Sequence, residues 1–381
     1  MALTLILALA YPIITVPGPR PVASTTVGCA GQETPPGPAA EEEVVHPAPT
    51  PLPWPPEPVG GPGMGTCDRI GPAGAPELNA AAWVLADLDT GAVLAAQAPH
   101  ARHRPASTLK VLTALVAVRE LDPDSVVTGT AEDQAIEGSK AGIGPGGRYT
   151  VRQLLAGTLL NSGNDTALAL SRALGGEDTT LAAMTELAHD LGALDTRPAT
   201  PSGLDGPGMS SSAYDLALLF RVAMREPLFA ETVGLRSIAF PGYAEHPGFQ
   251  LYNSSKLLAR YEGALGSKTG YTEAARHTLV GAAERDGRRL VVALVRGESS
   301  PAPLWKQGTA LLDWGFALPA DTPVAGTLVD TAPAPPSATA AADLETRNVA
   351  VEPASLVLPA ALGAVAMVVM LVGGLTLRRR H

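Results

Sequence analysis

A hydroxyl and an amine stand three residues apart at Ser107 and Lys110, inside the run Pro105-Ala106-Ser107-Thr108-Leu109-Lys110. Behind them Val111, Leu112, Ala114, Leu115, Ala117, Val118 and Leu121 recur at helical spacing. Pro105 suits a helix start, where its missing N–H is not needed. The pattern predicts a buried helix over 107–121, with Ser107 in its first turn and Lys110 on the same face one turn on. A hydroxyl beside an amine is a nucleophile beside a base. Backbone N–H groups at the positive end of a helix can also stabilise an oxyanion. An ordinary lysine, with a pKa of about 10.4, is charged at neutral pH and cannot serve as that base. Burial and a second positive charge both push the value down, and Lys268 is the candidate for the second charge.

Two further stretches could complete the site. Ser162-Gly163-Asn164 breaks the helical pattern between two apolar segments, and Lys268-Thr269-Gly270 lies on or beside a strand. Taken singly these are weak signals: Ser162 reads equally well as a turn residue bonding its own backbone. Together they carry more, because the chain has only five lysines (Lys110, Lys140, Lys256, Lys268, Lys306) and two of them fall in these stretches. Gly270 sits where a side chain would block a substrate.

The elements that must position these residues follow from periodicity and turn chemistry. Ala82 to Leu88 reads as a strand, Asp89-Thr90-Gly91 as a turn, and Ala92 to Gln97 as the returning strand. Thr150 is a good N-cap for a helix to Leu160, and Asp165 for one to Leu174. Further helices are expected over 180–191, closed by Gly192, and over 211–224. His277 to Ala283 and Arg288 to Val295 form a hairpin around Asp286-Gly287, and an amphipathic helix follows from Leu304 to Phe316. Strands at both ends with helices between predict one α+β domain, an antiparallel sheet flanked by a helical cluster.

Composition bounds the rest. The net charge of −10 over 381 residues argues against a nucleic-acid binder. The apolar start reads as a secretory signal, residues 1–24, although it lacks a basic n-region. Residues 25–75 read as a Pro-rich linker, 76–318 as the folded domain, and 319–353 as a Pro/Ala-rich stalk. Residues 354–377 are charge-free and long enough to span a bilayer as a single C-terminal transmembrane helix. Arg378, Arg379 and Arg380 then place the tail, 378–381, in the cytoplasm and the folded domain outside the membrane. Cys29 and Cys67 lie outside the core segment; in an oxidising compartment the pair favours a disulfide over two unpaired thiols. The histidines, His103 and His277 among them, show no metal-ligand spacing, and no cofactor is expected.

The order and spacing of the three short stretches match the motif set of class A β-lactamases and penicillin-binding proteins. At these residues the chain resembles the serine D-alanyl-D-alanine carboxypeptidases, the low-molecular-mass penicillin-binding proteins. Arg104-Pro105-Ala106-Ser107, Pro201-Ser202-Gly203-Leu204-Asp205, Asp215-Leu216-Ala217 and Leu312-Asp313-Trp314-Gly315-Phe316 extend the likeness, which covers about 82–318. The resemblance implies the β-lactamase/penicillin-binding transpeptidase-like fold and a substrate that is a peptidoglycan stem peptide ending in D-Ala-D-Ala. It makes Ser107 the nucleophile, Lys110 its base, and Ser162 and Asn164 the proton relay and amide holder. Lys268 and Thr269 would bind the terminal carboxylate, and the N–H groups of Ser107 and Tyr271 would form the oxyanion hole. It implies no metal and no cofactor, and β-lactams as covalent inhibitors. Relatives often add a small β-rich domain before their anchor; the stretch from Ala320 is too short and too Pro-rich for one.

Two rivals share the motifs. A class A β-lactamase uses a glutamate to activate its deacylating water, and no glutamate lies between Glu186 and Glu226. A sensor module would acylate and stop, which only turnover distinguishes.

Overall fold

The computed structural model of the protein describes residues 49–333. The expected signal, transmembrane helix and cytoplasmic tail lie outside the described residues, as do Cys29 and most of the stalk. Among the described residues no helix is long and apolar enough to cross a membrane.

Among the described residues seven strands form one antiparallel sheet. Strand β1 is Arg69–Ile70, β2 Ala82–Asp87 and β3 Ala92–Gln97; β4 (Val126–Thr128) pairs with β5 (Arg148–Thr150) and β6 (Ser237–Phe240) with β7 (Phe249–Tyr252) in two small ribbons. Strands β8 (Ala264–Thr272), β9 (Arg276–Arg285) and β10 (Arg288–Gly297) complete the large sheet, with β11 (Gly326–Thr327) on β3. The order is β1-β3-β2-β10-β9-β8, so β8, which carries Lys268, is an edge strand.

Successive residues of a strand point to opposite faces, and here both faces are buried. On one face Trp83, Leu85, Leu279, Leu290, Val292 and Leu294 pack under Leu311 and Leu312 of the last helix, α9 (Leu304–Ala317). On the other, Val84, Ala86, Val280, Ala282, Val291 and Ala293 meet the helical cluster. At its centre is α1, Lys110–Glu120, buried from Lys110 to Ala117. Around it lie α2 (Ala131–Ala135), α3 (Val151–Leu160), α4 (Asn164–Ala173), α5 (Glu177–Leu191), α6 (Ala213–Ala223) and α7 (Pro227–Gly234); α8 (Lys256–Arg260) precedes β8.

The strand, hairpin and helix expectations hold with small shifts. Asp286 and Gly287 both take left-handed φ, 52° and 76°, as a tight hairpin needs. Thr150 accepts from the Gln153 N–H while Gln153 reaches back to the Thr150 N–H, a full capping box. The nucleophile helix starts later than predicted: Ala106–Leu109 is a 3-10 turn and the α-helix begins at Lys110. The cap expected of Asp165 is also corrected, because α4 begins at Asn164 with Gly163 as its N-cap.

The larger correction concerns the flanks. Residues 49–75 and 319–333 are not free linkers but parts of the domain. Val59, Met64 and Leu328 are buried. Strands β1 and β11 share one edge of β3, pairing Ile70 with Ala96 and Gly326 with Val93. The two flanks also bond each other, Thr327 N–H to Gly60 carbonyl at 3.0 Å. The Arg102 guanidinium donates to the Leu52 and Pro53 carbonyls and stacks on Trp54, 3.6 Å from the ring centroid. His100 Nδ1 lies 2.7 Å from Asp195 Oδ2 and Nε2 lies 2.9 Å from the Val59 carbonyl. With an acceptor at each nitrogen the ring is held as an imidazolium. Burial opposes that charge, but Asp195 beside it keeps the pKa above its ordinary value. Cys67 is disulfide-bonded; the partner expected from the sequence, Cys29, lies outside the described residues.

The fold therefore needs its flanks. Burying Val59, Met64 and Leu328 contributes about 1.5–3 kcal/mol each. A fragment spanning 77–318 should melt at least ~10 °C below one spanning 49–333, or fail to fold, in a thermal unfolding experiment. Equal melting temperatures would show that the flanks add nothing.

Candidate active site

The three short stretches converge. Ser107 lies on the 3-10 turn that leads into α1, and it is half-buried where Ala106, Thr108 and Lys110 are fully buried. Lys110 Nζ is 2.9 Å from Ser107 Oγ, 2.7 Å from Asn164 Oδ1, and bonded to the Ser202 carbonyl. These partners suit a neutral amine. Asn164 Oδ1 and the Ser202 carbonyl are acceptors only, while a serine hydroxyl both donates and accepts. A neutral amine has two N–H donors and one lone pair. Its donors match the two acceptors, which leaves the lone pair facing the Ser107 hydroxyl.

Electrostatics favours the same state. Burial, and then the charge of Lys268, hold Lys110 well below its ordinary pKa, against a smaller upward pull from Asp165. Burial brings Lys268 itself down to about 7. Lys268 Nζ donates to Ser162 Oγ at 2.9 Å and to the Thr269 carbonyl at 2.7 Å. Among the described residues these are its partners, so one position of an ammonium remains open.

Local structure explains how each group is held. Ala106, just before the nucleophile, has φ 48°, and Ser162 has φ 59°. Gly203, at φ 77°, lies so close that a Cβ would meet the Ala106 carbonyl oxygen. This packing brings the Ser202 carbonyl under Lys110. On the sheet side Thr278 Oγ1 donates to the Pro105 carbonyl at 2.8 Å, tying β9 to the nucleophile turn. Gly270 pairs with Thr278, and a Cβ on it would stand 2.6 Å from the Ser107 backbone nitrogen. The glycine is required: the atoms it spares are the Ser107 nitrogen and Ala106 Cβ of the nucleophile turn and Thr278 Oγ1 of the neighbouring strand, a more local reason than the expected substrate clash. Thr269 is exposed on the strand edge. The Tyr271 side chain is half exposed and rests against His277, with ring centroids 4.6 Å apart.

Ser107, Lys110 and Asn164 thus form one hydrogen-bonded unit, and Ser162 with Lys268 a second beside it. Sequence reasoning missed the Ser202 carbonyl and Thr278. Ser202 stood in the quoted stretch 201–205, with Gly203 as its only signal, and Thr278 had none. Among the described residues His100, Asp195 and Asp215 form the one group with metal-ligand geometry. Arg102 and the His100 imidazolium already compensate the charge of Asp195 there.

Residues 71–299 match the family model of peptidase S11, D-alanyl-D-alanine carboxypeptidase. The chain belongs to this family. It is 49% identical over 257 residues to the D-alanyl-D-alanine carboxypeptidase DacB2 of Mycobacterium tuberculosis, covering 65% of this chain and 87% of that one. The crystal structure of D-alanyl-D-alanine carboxypeptidase from Mycobacterium tuberculosis H37Rv matches with a TM-score of 0.65 at 48% identity, over 68% of this chain and 99% of that chain. The Streptomyces K15 DD-transpeptidase matches with a TM-score of 0.61 at 28% identity, over 65% of this chain and all of that one. The chain spans 63–64% of the length of the DacD relatives from Salmonella typhimurium and Escherichia coli that it also matches. The mixed fold, antiparallel sheet and helices, is the penicillin-binding transpeptidase-like one.

Gly270→Ala tests the approach of β8 to the nucleophile turn. A displacement of about 1 Å at a reacting group costs on the order of 10²-fold in rate. Covalent labelling by a fluorescent penicillin should slow by about that factor in variant protein that is still folded at the assay temperature. Labelling at the wild-type rate would show that the strand can give way without moving Ser107.

Proposed function

We propose that this carboxypeptidase-family protein removes the terminal D-alanine from peptidoglycan stem peptides through an acyl-enzyme on Ser107. The observation that carries the reading is the Lys110 amine, 2.9 Å from Ser107 Oγ, with acceptors at its other two hydrogen-bonding positions.

Ser107 Oγ attacks the carbonyl carbon of the penultimate D-alanine as its proton passes to the Lys110 lone pair. The Ser107 and Tyr271 N–H groups hold the oxyanion that forms. The C–N bond then breaks, and the proton travels from Lys110 through Ser162 to the leaving amine of the terminal D-alanine. The Asn164 side-chain amide holds the substrate's amide. Lys268, with its open position, and the exposed Thr269 hydroxyl take the terminal carboxylate. Water next attacks the Ser107 ester as Lys110 takes its proton; the ester C–O bond then breaks, Lys110 passes that proton to Ser107 Oγ, and the shortened stem leaves with its new carboxylate. A β-lactam ring, a strained mimic of the same end, acylates Ser107 by the same first step. An amine in place of water would make the outcome a transpeptidation, and slow attack by either would make the protein a sensor.

The apolar run 354–377, followed by Arg378, Arg379 and Arg380, supports a single membrane anchor with the catalytic domain outside the cytoplasm. An N-terminal export signal fits that placement. The domain then trims stems at the wall and limits cross-linking.

D-alanine release from a diacetyl-Lys-D-Ala-D-Ala peptide tests the reading. Ser107→Ala should lose about 10³-fold or more in rate, and penicillin labelling with it. Lys110→Arg puts a permanent positive charge where the base must be neutral and cannot give up its proton, so acylation should fall by about 10²–10⁴-fold. Labelling without release in the wild type would favour the sensor or an amine-dependent enzyme.

The rate should be bell-shaped in pH. As pH falls through the lowered pKa of Lys110, the base is protonated and the rate drops. As pH rises past about 7, free-enzyme Lys268 loses the charge that holds the carboxylate, so kcat/KM drops again. A kcat/KM profile with no fall above about pH 7 would remove the Lys268 assignment, and one with no acid limb at all would remove that of Lys110.

A further inference from the structure

Asp165 is buried and has no ion-pair partner among the described residues, yet it is fully engaged. Its Oδ1 accepts from the Ala141 and Thr166 N–H groups, both at 2.8 Å. Its Oδ2 accepts from the Gly142 and Ile143 N–H groups at 2.7 and 3.1 Å. Three consecutive amides of the loop after α2 therefore converge on one carboxylate. The same loop holds Asn164: Asn164 Nδ2 donates to the Glu137 carbonyl at 2.6 Å, and Asn164 N–H donates to the Ser139 carbonyl at 2.7 Å. Asn161 Nδ2 donates to the Lys140 carbonyl at 2.6 Å.

The Glu137 contact fixes which way the Asn164 amide faces. With Nδ2 on Glu137, Oδ1 must face Lys110. Turned over, the amide would present N–H groups to the lysine, which would lose one of its two acceptors and with it the direction of its lone pair.

We propose that Asp165 is a positioning residue for the reaction: its carboxylate pins the 137–143 loop, and the loop orients Asn164 so that the Lys110 lone pair stays on Ser107. The proposal rests on the Ser107–Lys110 reading above. The link runs through main-chain N–H donors that only an acceptor with two oxygens can satisfy. An asparagine in its place would turn one NH2 against donors.

Two variants of the full chain test it by steady-state D-alanine release across pH. Asp165→Asn should lower kcat by about 10²-fold with KM changed less than about threefold. The charged groups acting on Lys110 are Lys268 and Asp165. Asp165→Asn removes the upward pull, so the acid limb of the kcat/KM profile should also move to lower pH. Gly142→Ala works from the other partner. Gly142 has φ 104°, a conformation an alanine resists, and its Cβ would meet only the end of Phe249 at 3.4 Å. It should lower kcat by about tenfold with the acid limb unmoved, since the charge remains.

Wild-type release is the control. Without it the functional reading fails and this one with it. With wild-type release intact, folded variants at the wild-type kcat would overturn the positioning role, as would a loss confined to KM. If Asp165→Asn does not fold, Gly142→Ala decides alone: wild-type kcat rejects the role, and reduced kcat at unchanged KM supports it.

Discussion

The structure depends on keeping one amine uncharged. An ammonium at Lys110 would sit without water, near a second lysine, with a hydroxyl and two carbonyl-type oxygens around it. Three acceptors could hold an ammonium, so geometry alone does not forbid the charge. Burial and Lys268 do, and the price is that every neighbour must be placed for the neutral form. Asn164 comes from the start of α4, Ser202 from a loop after α5, Ser107 from the turn before α1, and Lys268 from the sheet edge. A nucleophile drawn from one helix is ordinary; an amine whose protonation is set by four separate segments requires that none of them drift.

That requirement explains where the backbone is strained. Ala106 and Ser162 adopt left-handed φ without being glycines. Such residues cost of order 1–3 kcal/mol each and persist only where the surroundings over-determine them. Here the surroundings are named. Thr278 holds the Pro105 carbonyl, Gly203 packs against the Ala106 carbonyl, and Lys268 reaches Ser162. Behind the turn, α1 is buried on all sides by apolar residues such as Leu112 and Leu115. The core thus anchors one end of the strained segment and the sheet edge the other.

Much of this was legible in the sequence where the cause is local. The Asp286-Gly287 hairpin, the Thr150 capping box and the period of α1 each depend on residues a few positions apart. The three chemical stretches could be read because their types are rare and their order is informative. What escaped was long-range. Asp165 carries the side chain of a helix cap, and nothing in its neighbourhood says that its oxygens are taken by amides more than twenty residues earlier. The Ser202 contribution is a carbonyl, which every residue has. The flanks escaped for another reason: a Pro-rich, Gly-rich composition reads as a linker because it has no period, yet an extended chain can dock strand by strand if a sheet edge and donors await it.

The docking of those flanks bears on the site. The family model matches 71–299, but the segment leading to the nucleophile, residues 98–105, is held from outside that range. His100 and Arg102 grip the carbonyls of Val59, Leu52 and Pro53. Tyr214 takes the Pro99 carbonyl with its N–H, stacks on His100, and donates its hydroxyl to Thr327. The N-terminal flank, the C-terminal flank and α6 therefore meet around the strand-to-turn connection, only a few residues before Ser107. A sheet edge at β3 would otherwise stand open, an invitation to pairing with other chains. By covering it with β1 and β11, the flanks close the sheet and clamp the base of the catalytic turn in the same step. The position of Ser107 is thus set from both sides: by Lys110 and its acceptors within the site, and by two Pro-rich segments that never touch it.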